Sequence, residues 1–369
     1  MVENFRIHVG RRRVARLRSG TLIATTRAGL TAMLWERALA TPAITVRLGT
    51  RVVDLDPTTR TLTLEGTDGG RSTLDASDAR VVAADGVHST ARSALVQRGV
   101  LTPPRTLDWG VRFRVATSAP GASAPGMHPE DHHIFTSKGI YTATLRDGVW
   151  CVVMTAIEGD PSEQLVLTER SDAATLDALA AHLREHAPAA APLLTREDLA
   201  AFTRQRSFGG AVVICPQLVV DDWLVLVGDA AHGVIPPTGE GGNAGLEDAA
   251  VLTEHLASGA ARPLADYQAA RVPDLHALGQ YAWALCENLR GGDPARATAT
   301  TVLRILDSTA AALHLPSAQV ERRLFGPEAG RTPYREALGP WLRQRRRLLP
   351  PLEAGLRVAF RGAGRGGRR

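Results

Sequence analysis

Apolar residues along the first hundred positions follow two alternating rhythms. Residues 1–20 set Ile7, Val9, Val14 and Leu17 among basic neighbours, the pattern of a short hairpin with one wet face. At Thr26 the spacing becomes helical: Leu30, Met33, Leu34 and Leu39 follow an N-cap threonine, which predicts a helix with that stripe buried. Residues 44–66 alternate again and read as two strands joined through Asp56-Pro57, and an apolar strand over 80–84 runs into Asp85-Gly86. Between 101 and 160, runs such as VRFRVAT, HHIFTS, IYTATL and VWCVVMTA are broken by Pro120, Gly126, Gly139 and Asp147-Gly148, predicting an antiparallel sheet rather than further βαβ units. Helical spacing returns over 173–205, with Leu176, Leu179, Leu183 and Leu194 as its stripe. It continues over 263–290, interrupted near Pro273, and over 300–315 and 334–347. Residues 355–369 are Gly/Arg-rich and are expected to fray.

Two stretches carry chemistry. The first, 224–248, reads LVLVGDAAHGVIPPTGEGGNAGLED. Its opening run is short and β-branched enough for a strand buried on both faces. The strand stops at Gly228-Asp229, and Pro236, Pro237, Gly239, Gly241 and Gly242 exclude helix or central strand until Asn243 opens an apolar-periodic segment. A loop with few Cβ atoms and free N–H groups at a helix start suits an anionic or electron-rich ligand edge. Ligands of open parallel sheets sit at strand C-terminal ends, where Asp229 can accept hydrogen bonds from ribose-like or ribityl hydroxyls. A ligand-free strand, turn and helix is the alternative, and it leaves the prolines and glycines unexplained. The second stretch, Asp85-Gly86-Val87-His88-Ser89-Thr90-Ala91-Arg92, also reads as a turn from strand to helix. Gly86 lets the chain turn, Ser89 caps the helix and Arg92 supplies a cation one turn later.

Composition narrows the class. The 369 residues are 44% hydrophobic and 22% charged, as in a globular protein that can bury one large core or two ordinary ones. Cys151, Cys215 and Cys286 are widely spaced and odd in number, which argues against a disulfide framework and fits a reducing cytoplasm. The net charge of +5 comes from arginines scattered among 38 acids with only 5% aromatics, so no nucleic-acid partner is expected. The Arg11-Arg12-Arg13 run reads as a solvated turn. No run of eighteen apolar residues exists, so no membrane partner is expected either. His128, His132 and His133 lack the acid and histidine spacing of a known metal site and read as loop or strand surface.

The run GDAAH, the prolines and then G-x-G-x-N-A-x-x-x-D resemble the second FAD-binding motif of the class A FAD-dependent aromatic monooxygenases. D-G-x-x-S-x-x-R resembles that family's DG motif. The resemblance implies that Asp229 binds the ribityl chain. It places Gly228, Pro236, Gly239, Gly241, Gly242 and Asn243 beside the flavin, and Asp85, Gly86, Ser89, Thr90 and Arg92 toward the pyrophosphate. Arg27, followed by Leu30, matches an R-x-x-L that contacts FAD in the family. The implied cofactors are FAD and NAD(P)H, and the implied reaction is hydroxylation of a small aromatic substrate by molecular oxygen through a flavin C4a-hydroperoxide, with no metal.

The implied fold is α/β (α+β): an FAD-binding Rossmann-like parallel sheet, an antiparallel substrate sheet and C-terminal helices. Its expected parts are 1–100 and 211–260 for FAD, 101–210 for the substrate sheet, 261–354 for the helices and 355–369 as a basic tail. The later phrasing, Arg271-Val272-Pro273-Asp274 with His276, Tyr334, Glu336, Ala337 and Trp341, is similar to the kynurenine 3-monooxygenase branch. At the positions aligned with that branch's substrate contacts stand Phe5, Leu17, Leu285 and Arg323 instead of an arginine and tyrosine pair and an asparagine. This argues against kynurenine itself. The family's opening strand, G-x-G-x-x-G turn and helix are missing from the sequence, leaving the parallel sheet N-terminally incomplete. A flavin-free remnant or partner subunit therefore stays open as an alternative, as does an oxidase or halogenase of the same fold. None of the six tryptophans forms the halogenase W-x-W. The oligomeric state and the NADH or NADPH preference are not specified by these signals.

Overall fold

In the computed structural model the chain is a mixed α/β protein that divides into two compact units. The structure describes every residue except Met1, Gly10, Arg11, Ile23, Ala24, Arg146, Gly292, His314, Pro316, Gln319, Pro327–Ala329 and 367–369. One unit comprises Met1–Ile44, Gly110–Gly209 and Gln319–Thr332, and the other Thr45–Trp109, Gly210–Ala318 and Pro333–Arg369.

The first unit is built on the alternating runs. β1 (Val2–Val9) and β2 (Arg12–Leu22) form the expected hairpin. β8 (Val111–Thr117), β9 (Asp131–Phe135), β10 (Ile140–Thr144) and β11 (Trp150–Ile157) complete a six-stranded sheet in the order β2-β1-β9-β10-β11-β8. All neighbours are antiparallel except β1 and β9, which run parallel. Polar groups help fix that pairing: buried Asp131 accepts from Asn4 Nδ2 at 2.7 Å and from Arg6 Nε, and His8 Nε2 meets His133 Nδ1 at 3.0 Å. One face of the sheet packs Phe135, Trp150, Val152 and Met154 against α4 (Ala173–His186) and α5 (Arg196–Arg204). α3 (Glu163–Leu167) and α9 (Val320–Phe325) belong to the same unit. The opposite face is half-buried and aromatic. There Phe5 lies edge-on to His132 at 5.3 Å and tilted against Phe325 at 5.2 Å, and His132 stacks toward Tyr141 at 6.5 Å.

Two expectations for this unit are corrected. α1 (Arg27–Leu39) forms behind its Thr26 cap, whose Oγ1 accepts from Gly29 N at 3.0 Å, but it has no buried residue. Met33, Leu34 and Leu39 are 55%, 47% and 66% exposed, because helical periodicity sets a face without supplying a neighbour to cover it. His133 is not surface but fully buried, and burial above all pushes its pKa down to about 4.

The second unit holds three small sheets. β3 (Thr50–Asp56), β4 (Thr61–Gly66) and β5 (Arg71–Asp75) make an antiparallel meander. β7 (Arg105–Asp108) pairs with β12 (Ala211–Ile214). The third sheet has the order β13-β14-β6, in which β14 (Leu224–Leu226) runs parallel to β6 (Val81–Ala83) and antiparallel to β13 (Val219–Val220). Leu224, Val225 and Leu226 are wholly buried, as a continuous apolar run requires, whereas Val82 on β6 is 47% exposed. Around these sheets stand α2 (Thr90–Gln97), α6 (Gly241–Ala257), α7 (Pro263–Arg290), α8 (Pro294–Ala312) and α10 (Tyr334–Gly366). α7 runs unbroken through Pro273, and α10 continues as helix where a frayed tail was expected.

Candidate functional site

The loop after β14 is shaped by backbone choices that its residues dictate. Gly228 takes φ +56° and opens a single 3-10 turn, Gly228–Ala230, that leaves Asp229 exposed at the strand's C-terminal end. A second 3-10 turn, Pro236–Thr238, ends at Gly239 with φ +70°, and α6 begins two residues later. Open space lies on the Cβ side of Gly86, Gly228 and Gly242. The first N–H groups of α6, at Gly241, Gly242 and Asn243, precede any intrahelical acceptor and so face outward as free donors. Exposed Pro236, Gly239, Gly242 and Asn243 thus form, with Asp229, one surface of acceptors and donors around a cradle without side chains. This chemistry fits the ribityl hydroxyls and polar ring edge of a flavin.

What holds this loop was given no role from sequence. Asp248 lies on α6 at the same face as Ala244 and Leu252, all three buried. Its Oδ2 accepts from Gly228 N at 2.8 Å and from His232 Nε2 at 2.5 Å, so one carboxylate pins both ends of the GDAAH turn. Its Oδ1 accepts from Arg271 Nε and Nη2, both at 2.9 Å, and Arg271 is 2% exposed. Burial pushes the Asp248 carboxyl up, but the hydrogen bonds from His232 and Gly228 and the charge of Arg271 outweigh it, and the net shift is downward. The far end of the loop is tied as well: Tyr334 OH donates to Glu240 Oε2 at 2.7 Å, while Asn243 Nδ2 lies 3.4 Å away. Burial raises the Glu240 pKa above the usual carboxyl range despite both donors. A charge on the apolar stripe of α6 is the sequence signal that marks Asp248, since such a position demands a buried partner.

The turn at Asp85 is held locally. Gly86 has φ +84°, Ser89 is fully buried with its Oγ accepting from Arg92 N at 2.9 Å, and Asp85 Oδ2 accepts from Ala91 N at 3.0 Å. Thr90 is the half-buried first residue of α2. Arg92 is 8% exposed, and its Nη1 and Nη2 donate to Ala230 O at 2.5 Å and Val87 O at 2.6 Å. It therefore cross-links the two motifs through backbone carbonyls.

The structure brings together Asp85, Gly86, Ser89, Thr90, Arg92, Gly228, Asp229, Pro236, Gly239, Gly241, Gly242 and Asn243 in one unit, and Arg27 lies exposed on α1 of the other. Phe5 and Arg323 belong to the antiparallel-sheet unit and Leu285 to α7, while the side chain of Leu17 lies outside the described residues. Among the described residues no cluster of His, Cys, Asp and Glu has metal-binding geometry, and no helix is long and apolar enough to cross a membrane.

Comparison with known proteins identifies the family and the fold. The chain is 30% identical over 92% of its length to a kynurenine 3-monooxygenase of Salinispora tropica, covering 74% of that protein. It is 31% identical over 71% of its length to the kynurenine 3-monooxygenase of Salinispora arenicola, of which it spans 57%. Its fold resembles that of 2-methyl-3-hydroxypyridine-5-carboxylic acid oxygenase, with a TM-score of 0.61 at 17% identity, covering 80% of this chain and 76% of that one. It also resembles Klebsiella pneumoniae HpxO solved with FAD and uric acid, with a TM-score of 0.57 at 19% identity, covering 86% and 77% of the two chains. Residues 16–274 match the family described as FAD binding domain, and with both sequence motifs inside that span the chain belongs to this FAD-binding family of aromatic monooxygenases.

Proposed function

We propose that the protein is an FAD-dependent, NAD(P)H-consuming monooxygenase that hydroxylates a small aromatic substrate other than kynurenine. The observation that carries this reading is Asp229 standing exposed at the end of buried β14, beside the free N–H groups that open α6. FAD, when bound, would supply the redox chemistry by which two electrons from NAD(P)H reduce one atom of molecular oxygen to water while the other is inserted into an aromatic ring. The chain's own part is binding and orientation. Asp229 accepts from the ribityl hydroxyls, while Gly241, Gly242 and Asn243 direct N–H dipoles toward the ring edge that gains negative charge on reduction. The Asp85–Arg92 turn serves the pyrophosphate of the cofactor, and Arg27 is a further FAD contact by its match to the family's R-x-x-L.

For the substrate, the half-buried face of the antiparallel sheet offers Phe5, His132, Tyr141 and Phe325, a surface on which a planar ring can lie. Burial lowers the His132 pKa to about 4, so this face carries a neutral imidazole at pH 7. Arg323 stands exposed on α9 of the same unit and supplies a cation for a substrate carboxylate. Parts 1–100 and 211–260 are assigned to FAD, 101–210 to the substrate and 261–354 to structural cover, except that Phe5, Arg323 and Phe325, which belong to the unit of the antiparallel sheet, are assigned to the substrate. The test adds FAD to the purified chain, desalts it and records the visible spectrum, then screens NADH and NADPH oxidation against aromatic acids and amines. A retained flavin spectrum with substrate-dependent oxidation supports the reading, and a colourless protein that consumes neither nucleotide refutes it for this chain.

A further inference from the structure

Away from both motifs, one face of α7 and one face of α10 line an open pocket of about 530 Å³, within the range of small-molecule sites. Its lining positions on α7 (280, 283, 284, 287) and on α10 (342, 343, 345, 346, 349) follow helical spacing, so two helix faces build it. The floor is apolar, with Ile214, Ala284 and Leu349 buried. Four arginines surround it: Arg105, Arg343, Arg345 and Arg346. The one acid of the lining, Glu287, is already committed to Arg296 at 2.5 Å. Arg105 is held 4.7 Å above the ring of Trp283, a cation-π contact that leaves its N–H edge free for hydrogen bonding. Arg345 packs 5.4 Å from the Trp341 ring, and its Nη2 is buried without a hydrogen-bond partner among the described residues. Burial, followed by the charge of Arg296, lowers the Arg345 pKa, and the nearby carboxylates of Glu287 and Glu353 only partly offset this.

Arg345 itself is half-buried, but a guanidinium nitrogen buried without a partner is costly unless an anion meets it. The pocket therefore combines an apolar floor, an indole wall and a rim on which four arginines outnumber one acid. We propose that it binds a small organic anion, a molecule with a planar apolar body and a phosphate or carboxylate head. No residue of the 85–92 turn or the 228–243 loop lines it, so the proposal is independent of the flavin reading.

The test titrates the FAD-supplemented full chain with naphthyl phosphate, following tryptophan fluorescence, beside inorganic phosphate, neutral naphthol and naphthoate. The expected result is saturable one-to-one binding of naphthyl phosphate or naphthoate, at least about tenfold tighter than phosphate or naphthol alone. The tighter of the two anions identifies the head group. Arg345→Gln weakens binding by at least about tenfold, as loss of a charged hydrogen-bond partner does. Arg346→Glu, an exposed position that leaves the fold intact, weakens it in the same direction. Wild-type affinity in Arg346→Glu, or naphthol binding as well as its phosphate, overturns the proposal.

Discussion

The two turns that face the proposed flavin site are both strand, glycine turn and helix, yet they are held in opposite ways. The Asp85–Arg92 turn is secured within a few residues by Ser89 on Arg92 N and Asp85 on Ala91 N. The loop after β14 is secured from a distance, by Asp248 and Arg271 at its start and by Tyr334 at its end. A local cap restrains backbone that would turn there anyway. A distant clamp makes the loop's shape depend on how α6, α7 and α10 pack, so perturbing that packing should move the cofactor loop while leaving the Asp85 turn in place.

The comparison breaks most sharply at Asp248. Asp248→Ala leaves buried His232 without its carboxylate and buried Arg271 with only the half-exposed Glu247 as counter-charge, and urea unfolding should show a loss of about 3–5 kcal/mol. Because the folded Asp248 pKa lies below its unfolded value, its contribution is present above the ordinary carboxylate range and is lost as pH falls through the folded value. Asp248→Asn should therefore flatten the acid limb of the stability profile. Arg92→Ala comes next, at roughly 2–4 kcal/mol, for two charge-assisted bonds to carbonyls. Ser89→Ala, which removes only a local cap, should cost about 1 kcal/mol in the same assay. Equal losses at Ser89 and Asp248 would erase the distinction between local and distant support.

Glu240→Gln gives the smallest effect, with a sign of its own. The folded Glu240 pKa is raised, so ionisation costs stability as pH rises from the unfolded value through the folded one. The glutamine variant should therefore be more stable than the parent at about pH 8 and no different at about pH 2.5, below the ordinary carboxyl range. A variant less stable at the higher pH would show that the charged form is what Tyr334 holds.

The same division explains what was legible in the sequence. Gly86, Gly239, Thr26 and Ser89 announce themselves because turns and caps are decided within four residues. The parallel pairing of β1 with β9 was not legible, because Asn4 and Asp131 lie 127 positions apart and periodicity carries no pairing information. The stripe of α1 was read correctly as a face and wrongly as a buried one, since burial depends on a neighbour that the stripe does not encode. In the candidate site, Asp229 was visible from its place after a buried strand, whereas the clamp was not: Asp248 and His232 lie in the motif and Arg271 lies 23 residues beyond it, and nothing in the spacing joins them.

The most direct test of the account is the dissociation constant of FAD from the parent chain and from Asp229→Ala, measured by flavin fluorescence with thermal melting in parallel. Asp229 is exposed and makes no side-chain hydrogen bond among the described residues, so its loss should leave stability within about 0.5 kcal/mol. The account predicts FAD binding weakened by at least about tenfold, on the order of 1.4 kcal/mol or more, at an unchanged melting temperature. Unchanged FAD affinity in Asp229→Ala would contradict it.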